Sequence, residues 1–355
     1  MRVLPITESP ARLRRYLAAG YVLFIVYASL SPFTGWQDQG FDFIEVLESP
    51  LRLTYTGFDT TVNLLAYFPL GLLLGLLLRA RLGAVGGVLL ATLCGALLSF
   101  AMEYAQMYLP SRVSSNVDLL SNTGGTLAGA LLAASIAPSA WFAFVMHWRQ
   151  RLFHGGESVD FGLALAALWM FAQVNPSLPM LGNVFITQVA QPPFVPVPSA
   201  PFSWLECAAV ALNLLMLGCL LLTLLHQRRH AVIGLVLVLC AVTLTKFIAA
   251  ALLLKSWALL LWLNGEAMLG ICAGLVLVLL IHWLPRTLLL WCSAGVTLAY
   301  LGLTHGLLDS SKPAAAMPLY HWHYGHLLNY NGLSQTVALV FPFLMLGYLW
   351  RIREE

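Results

Sequence analysis

Ten apolar runs, each close to the length of a membrane-spanning helix, leave this chain few ways to fold. A helix needs about 20 apolar residues to cross a bilayer. The segments 16–34, 60–79, 84–108, 117–136, 158–175, 203–225, 231–254, 264–284, 287–304 and 332–350 reach or approach that length. Little charge separates them: 9% of the 355 residues are Asp, Glu, Lys or Arg, against roughly 25% in soluble domains. That is too little polar surface for a soluble enzyme. A net charge of +3 also gives no electrostatic footprint for nucleic acid. The expected fold is all-α, a polytopic transmembrane bundle of about ten spans. The weakest spans are 158–175, which is short, and 231–254, which carries Lys246.

Arginine and lysine orient the spans, because they gather on the cytoplasmic side. With the N-terminus inside, thirteen fall on that side: Arg2, Arg12, Arg14, Arg15, Arg79, Arg81, Arg149, Arg151, Arg228, Arg229, Arg286, Arg351 and Arg353. The other side collects Arg52, Arg112, Lys255 and Lys312. Both termini are therefore expected in the cytoplasm. The first run follows Arg12, Arg14 and Arg15 like a signal peptide, but no small-residue cleavage site follows it, so it reads as an uncleaved helix. The six cysteines lie in apolar runs without a CxxC pair, which suggests neither disulfides nor a thiolate metal site. Residues 175–202, with seven prolines and no charge, predict an irregular external loop. The aromatic and basic stretch 138–154 predicts an interfacial helix.

Ionisable residues inside spans point to function, since each costs several kcal/mol unless paired or hydrated. Asp59 and Asn63 share a face of the second helix, Glu103 and Gln106 a face of the third, and Asp118 and Asn122 a face of the fourth. Gly125 and Gly129 continue the last stripe, and glycines let helices approach closely. Arg112 sits in the connection Leu109–Pro110–Ser111–Arg112. The expected arrangement is a polar pocket opening outward, with Arg112 neutralising Glu103 or Asp118. The bland alternative is an ion-pair lock that only joins three helices. Three carboxylates against one arginine favour a ligand.

These residues also carry a resemblance. Asp59-x3-Asn63-x4-Phe68-Pro69-x-Gly71, then Glu103-x2-Gln106, then Arg112-x5-Asp118-x3-Asn122-x2-Gly125-x3-Gly129 resembles the VanZ-like family of bacterial membrane proteins. Ser29-Leu30-Ser31-Pro32 is similar to that family's opening. The resemblance covers roughly residues 16–136. It implies a four-helix integral membrane module of the bacterial inner membrane, whose founding member is linked to teicoplanin resistance.

The domain reading is then a VanZ-like module at 1–136, a cytoplasmic interfacial segment at 137–157, a second four-helix module at 158–284, and two C-terminal helices at 285–355. Val62-Asn63-Leu64-Leu65 is echoed by Leu212-Asn213-Leu214-Leu215, with Arg79 and Arg229 sixteen residues later in each. This suggests a parallel repeat whose second copy lacks the chemistry: at the same offset Glu103 becomes Leu253, Gln106 becomes Ser256 and Asp118 becomes Met268. Lys246 and Glu266 are the second half's own intramembrane charges, expected to pair unless Lys246 snorkels.

The segment Tyr-His-Trp-His-Tyr-Gly-His at 320–326 offers His321, His323 and His326 as weak zinc ligands or general bases. An interfacial aromatic belt explains the same residues more simply. No cofactor is implied. The expected partners are membrane lipids and a lipid-linked cell-wall or glycan precursor. Three functions remain open: binding or modifying an envelope lipid headgroup or precursor, an enzyme on a lipid-linked substrate, and a transporter. One-sided polar stripes count against the transporter.

Overall fold

The computed structural model describes residues 9–40, 42–50, 57–186, 201–308, 312–321 and 325–354. It is helical, and all ten apolar segments lie in helices: α1 Ser9–Leu30, α2 Phe43–Glu48, α3 Gly57–Gln106, α4 Asn116–Ile136, α5 Ala140–Leu152, α6 Glu157–Gln173, α7 Trp204–Leu224, α8 Arg229–Leu253, α9 Gly265–Ile281, α10 Arg286–Gly306 and α11 Gly325–Glu354. Among the described residues, seven helices are long and apolar enough to cross a membrane, so the chain is a multi-pass membrane protein. α6 and α9 have 17 residues each, a length of roughly 25 Å, short of the ~30 Å hydrocarbon core.

At 50 residues, α3 would run roughly 75 Å if straight. Gly83 breaks it with φ 71° and ψ −176°, a conformation that a side chain would strain. The two arms then fold onto each other, so α3 supplies two of the ten expected segments. Thr126 of α4 touches Gly71 on the first arm and Gly95 on the second. The chain divides into two compact units, Met1–Gln150 and Arg151–Glu355.

In the first unit, α4 lies against the first arm of α3. A Cβ at Gly125 would stand 2.1 Å from the Leu64 carbonyl oxygen, and one at Gly129 2.0 Å from that of Phe68. Only glycine permits this approach, which brings backbone against backbone. α1 covers the hairpin through Ile25, packed with Tyr67 and Leu70 of the first arm and Leu98 and Met102 of the second. Tyr21 donates its hydroxyl to the Ala66 carbonyl at 2.8 Å, and Arg14 donates to that of Leu76 at 2.9 Å. Arg79 donates to the Ala134 carbonyl in the last turn of α4, which satisfies an acceptor that the helix leaves open. α5 presents Trp141, Phe144 and Trp148 outward, and Arg14 stacks over Phe142 at 5.6 Å.

The second unit is built around α7, buried along almost its whole length. The same glycine device joins α7 to α9: a Cβ at Gly270 would stand 2.6 Å from the Cys207 carbonyl oxygen and one at Gly274 3.0 Å from that of Ala211. Asn213, the polar residue in the middle of α7, accepts from the Trp169 indole at 2.7 Å and donates to the Leu181 carbonyl at 2.9 Å. Asn331 of α11 accepts from Tyr320, Asn175 and Ser177 at 2.6, 3.0 and 3.1 Å. Arg228 donates to the Leu284 carbonyl, much as Arg79 does in the first unit.

Lys246 neither pairs with Glu266 nor snorkels. Its ammonium is fully buried and donates to the carbonyls of Gln173 at 3.1 Å and Pro179 at 3.2 Å. Glu266 instead accepts from the Ser203 amide at 3.3 Å. Residues 174–186 and 201–203 are irregular; the remainder of the proline-rich loop lies outside the described residues.

A buried polar cluster in the first unit

Four elements meet around the upper turns of the α3 hairpin. Arm one brings Thr60, Asn63 and Tyr67, spaced three and four apart and so on one helix face. Arm two brings Ser99, Glu103 and Gln106 with the reverse spacing. α4 brings Asp118, Ser121 and Asn122. The tight turn between α3 and α4 holds Arg112, Ser114 and Ser115.

Glu103 is the charged group at the centre, only 4% exposed. Its Oε2 accepts from the Ser115 amide at 2.8 Å and, at 3.2 Å, shares the Ser114 hydroxyl proton with the Glu103 backbone carbonyl, which is 2.9 Å away. Ser115 is the N-cap of α4, its own hydroxyl accepting from the Val117 amide, so one carboxylate oxygen sits at the positive end of that helix. The other oxygen, Oε1, makes none of the described hydrogen bonds. Asp118, the third residue of α4, is the charged neighbour nearest in influence to Glu103. Among the described residues no cation stands at Glu103.

Arg112 has a different task from the one the sequence suggests. It donates to the Ala28 and Ser31 carbonyls at 2.8 Å each, closing the C-terminal end of α1, and makes no ion pair with Glu103 or Asp118. Partial burial lowers its guanidinium pKa from the ordinary value. Gln106 joins it there by donating to the Ser29 carbonyl at 3.1 Å. Both residues tie the loop to α1 and leave the carboxylate side of the cluster to others.

Asn122 is 5% exposed and donates to the Ser99 hydroxyl at 2.9 Å. Its Oδ1 is buried without a hydrogen-bond partner. Tyr67 is 4% exposed, and its hydroxyl lies beside Ser99 and Glu103 without reaching hydrogen-bond geometry. The Thr60 hydroxyl, two turns up the same face, is also buried without a partner. Such orphaned groups are rare in interiors and call for an explanation. Asp59 lies half-buried in the first turn of α3, and Asn63 half-buried one turn from Tyr67. Asn116 anchors α2 by donating to the Ser49 carbonyl at 2.6 Å.

The structure thus brings Glu103, Asp118 and Asn122 together and sends Gln106 and Arg112 to α1. Sequence reasoning missed Tyr67, Ser99, Ser114 and Ser115. Tyr67 and Ser99 were findable, because each stands four residues from a residue already singled out.

Residues 8–137 match the VanZ/LLP1 family. The matched VanZ/LLP1 segment contains α1 to α4 and with them every residue of the cluster; residues 138–355 lie outside it. No curated protein and no solved structure matches the chain. Of the histidine candidates, His321 lies on the surface and its amide donates to the Leu253 carbonyl at 3.0 Å. His323 and the side chain of His326 lie outside the described residues.

Proposed function

We propose that this is a VanZ-like protein of the bacterial inner membrane, with both termini cytoplasmic, whose first unit binds or helps modify a cell-envelope lipid headgroup or cell-wall precursor. The cluster around Glu103 is the pocket, and it opens to the external side. One observation carries the reading: a buried carboxylate that faces no cation among the described residues shares its cluster with the orphaned Tyr67 hydroxyl and Asn122 carbonyl oxygen. A purely structural lock would close its own hydrogen bonds, because each unmet buried group costs about 1–3 kcal/mol. The arginine bias of the loops supports the orientation. A handled cell-wall precursor would connect the protein to glycopeptide susceptibility.

Mass spectrometry of the lipids that co-purify in mild detergent tests this, with wild type beside Glu103→Gln. The expected result is a specific lipid or lipid-linked sugar on wild type that is depleted from the variant. The same bulk lipids on both would reduce the cluster to a helix lock.

A further inference from the structure

Resting on the reading of the Glu103 cluster as a ligand site, we infer that the group it receives is a primary ammonium, carried by an amine-bearing lipid headgroup. The unmet atoms dictate this. Asn122 Oδ1 is a buried acceptor without a donor, and the Tyr67 hydroxyl, likewise unpartnered, can accept as well. Glu103 Oε1, which none of the described hydrogen bonds reaches, lies one turn along α3 from Ser99, to which Asn122 donates. An ammonium brings three donors, no acceptor and the positive charge that Glu103 lacks.

Other headgroup chemistries fit less well. A phosphate brings negative charge and more acceptors towards Glu103, and Arg112 is occupied by the α1 carbonyls. A hydroxyl donates once and leaves two acceptors unmet. A quaternary ammonium has no N–H at all.

The second unit shows the principle with the chain's own atoms. There the buried acceptors, the carbonyls of Gln173 and Pro179, receive a tethered ammonium from Lys246. The first unit has no such resource, for the chain's three lysines are Lys246, Lys255 and Lys312. An external amine completes in the first unit what Lys246 completes in the second.

Delipidated full-length protein is titrated with phosphatidylethanolamine, with its N-acetyl derivative of the same acyl chains, and with phosphatidylglycerol, reading bound lipid by native mass spectrometry. The expected result is a preference for the free amine of roughly tenfold, the scale of one charge-assisted hydrogen bond, lost in Glu103→Gln. Tyr67→Phe, which removes one unpartnered hydroxyl from a packed ring, should weaken the same preference and serves if Glu103→Gln does not fold. Ethanolamine in solution that displaces the lipid at millimolar concentration would keep the amine chemistry but assign it to a free amine, overturning the lipid source. If the N-acetyl lipid binds wild type as well as the free amine and both weaken in Glu103→Gln, the amine inference falls and the headgroup site stands. If no lipid distinguishes wild type from either variant, both fall.

Discussion

The two units press helices together in the same way and then treat a buried charge in opposite ways. In each, two glycines four residues apart meet two carbonyls four residues apart: Gly125 and Gly129 on Leu64 and Phe68, Gly270 and Gly274 on Cys207 and Ala211. Above that frame the second unit buries a cation and supplies its acceptors from its own backbone. The first buries an anion, gives it two donors from the α3–α4 turn, and leaves neighbouring acceptors unmet. Orphaned buried atoms occur in the second unit as well, at Asn183 Oδ1, His282 Nδ1 and Ser334 Oγ, so the contrast lies in the charge itself. Lys246 has its acceptors from the chain, whereas Glu103 has two donors and, among the described residues, no cation.

The contacts differ in tightness, and the largest expected effect tests that difference. A methyl at Gly129 would stand 2.0 Å from the Phe68 oxygen and 2.7 Å from the Leu72 nitrogen. Both are backbone atoms, so α4 and the first arm must separate. Gly129→Ala should cost about 3 kcal/mol or more. At Gly274 the nearest atoms, the Ala211 carbonyl oxygen and the Leu214 Cβ, would both stand 3.0 Å from the methyl, so a shift of a few tenths of an ångström suffices. The better helix propensity of alanine, about 1 kcal/mol, then offsets most of the strain, so Gly274→Ala should be close to neutral. Thermal unfolding of both variants in one detergent measures the contrast. Equal losses would show that the two frames are equally tight.

How much of this could be read in the sequence depends on distance along the chain. The helices were legible because each apolar run declares itself within twenty residues. Glu103, Asp118 and Asn122 were legible because ionisable or amide groups in such runs have few innocent explanations. The partners were not. Arg112 bonds to Ala28 and Ser31, more than eighty residues away, because the last carbonyls of α1 lack intrahelical donors, and spacing cannot reveal that. Lys246 found the Gln173 carbonyl at the end of α6 for the same reason, and with it that of Pro179 in the loop that follows. The apparent pairing of Asn63 with Asn213 fails on register. Taking the glycine contacts as the frame, Leu64 corresponds to Cys207, so Asn63 corresponds to Glu206. By the same frame Asp118 and Asn122 correspond to Leu263 and Ala267, neither of which can hydrogen-bond through its side chain.

An intermediate effect separates charge from hydrogen bonding in the second unit. Lys246→Met strips the Gln173 carbonyl of its donor and leaves that of Pro179 with the Gly182 amide alone, and should cost about 2 kcal/mol. Lys246→Gln keeps N–H donors without the charge and should recover part of that loss. The lipid bound by the first unit should be unchanged in both variants, since Lys246 serves its own unit's acceptors. If Lys246→Met instead removes the lipid while stability holds, the contrast between a buried charge served by its own chain and one that receives a ligand breaks.

The smallest effect concerns protons at one end of the second unit. His154 and His226 lie on a short antiparallel backbone pairing, where the His154 amide donates to the Leu224 carbonyl at 3.0 Å and the His226 amide to that of Leu152 at 2.9 Å. Their rings meet edge to face with centroids 4.3 Å apart. Burial first, then His226, and more weakly Arg286, hold the His154 pKa below its ordinary 6.5, against a backbone hydrogen bond that raises it. As pH falls, the unfolded chain takes up this proton before the folded one does. Stability is therefore fully present above 6.5 and declines as pH drops through the lowered folded value. His154 is largely exposed, so solvent screens the effect and the decline in unfolding temperature should be slight. His226→Gln, which keeps a polar side chain and removes the neighbouring charge, should flatten the decline without moving the plateau above neutral pH. An unchanged slope in that variant would take His226 out of the account and leave burial and Arg286 to explain it.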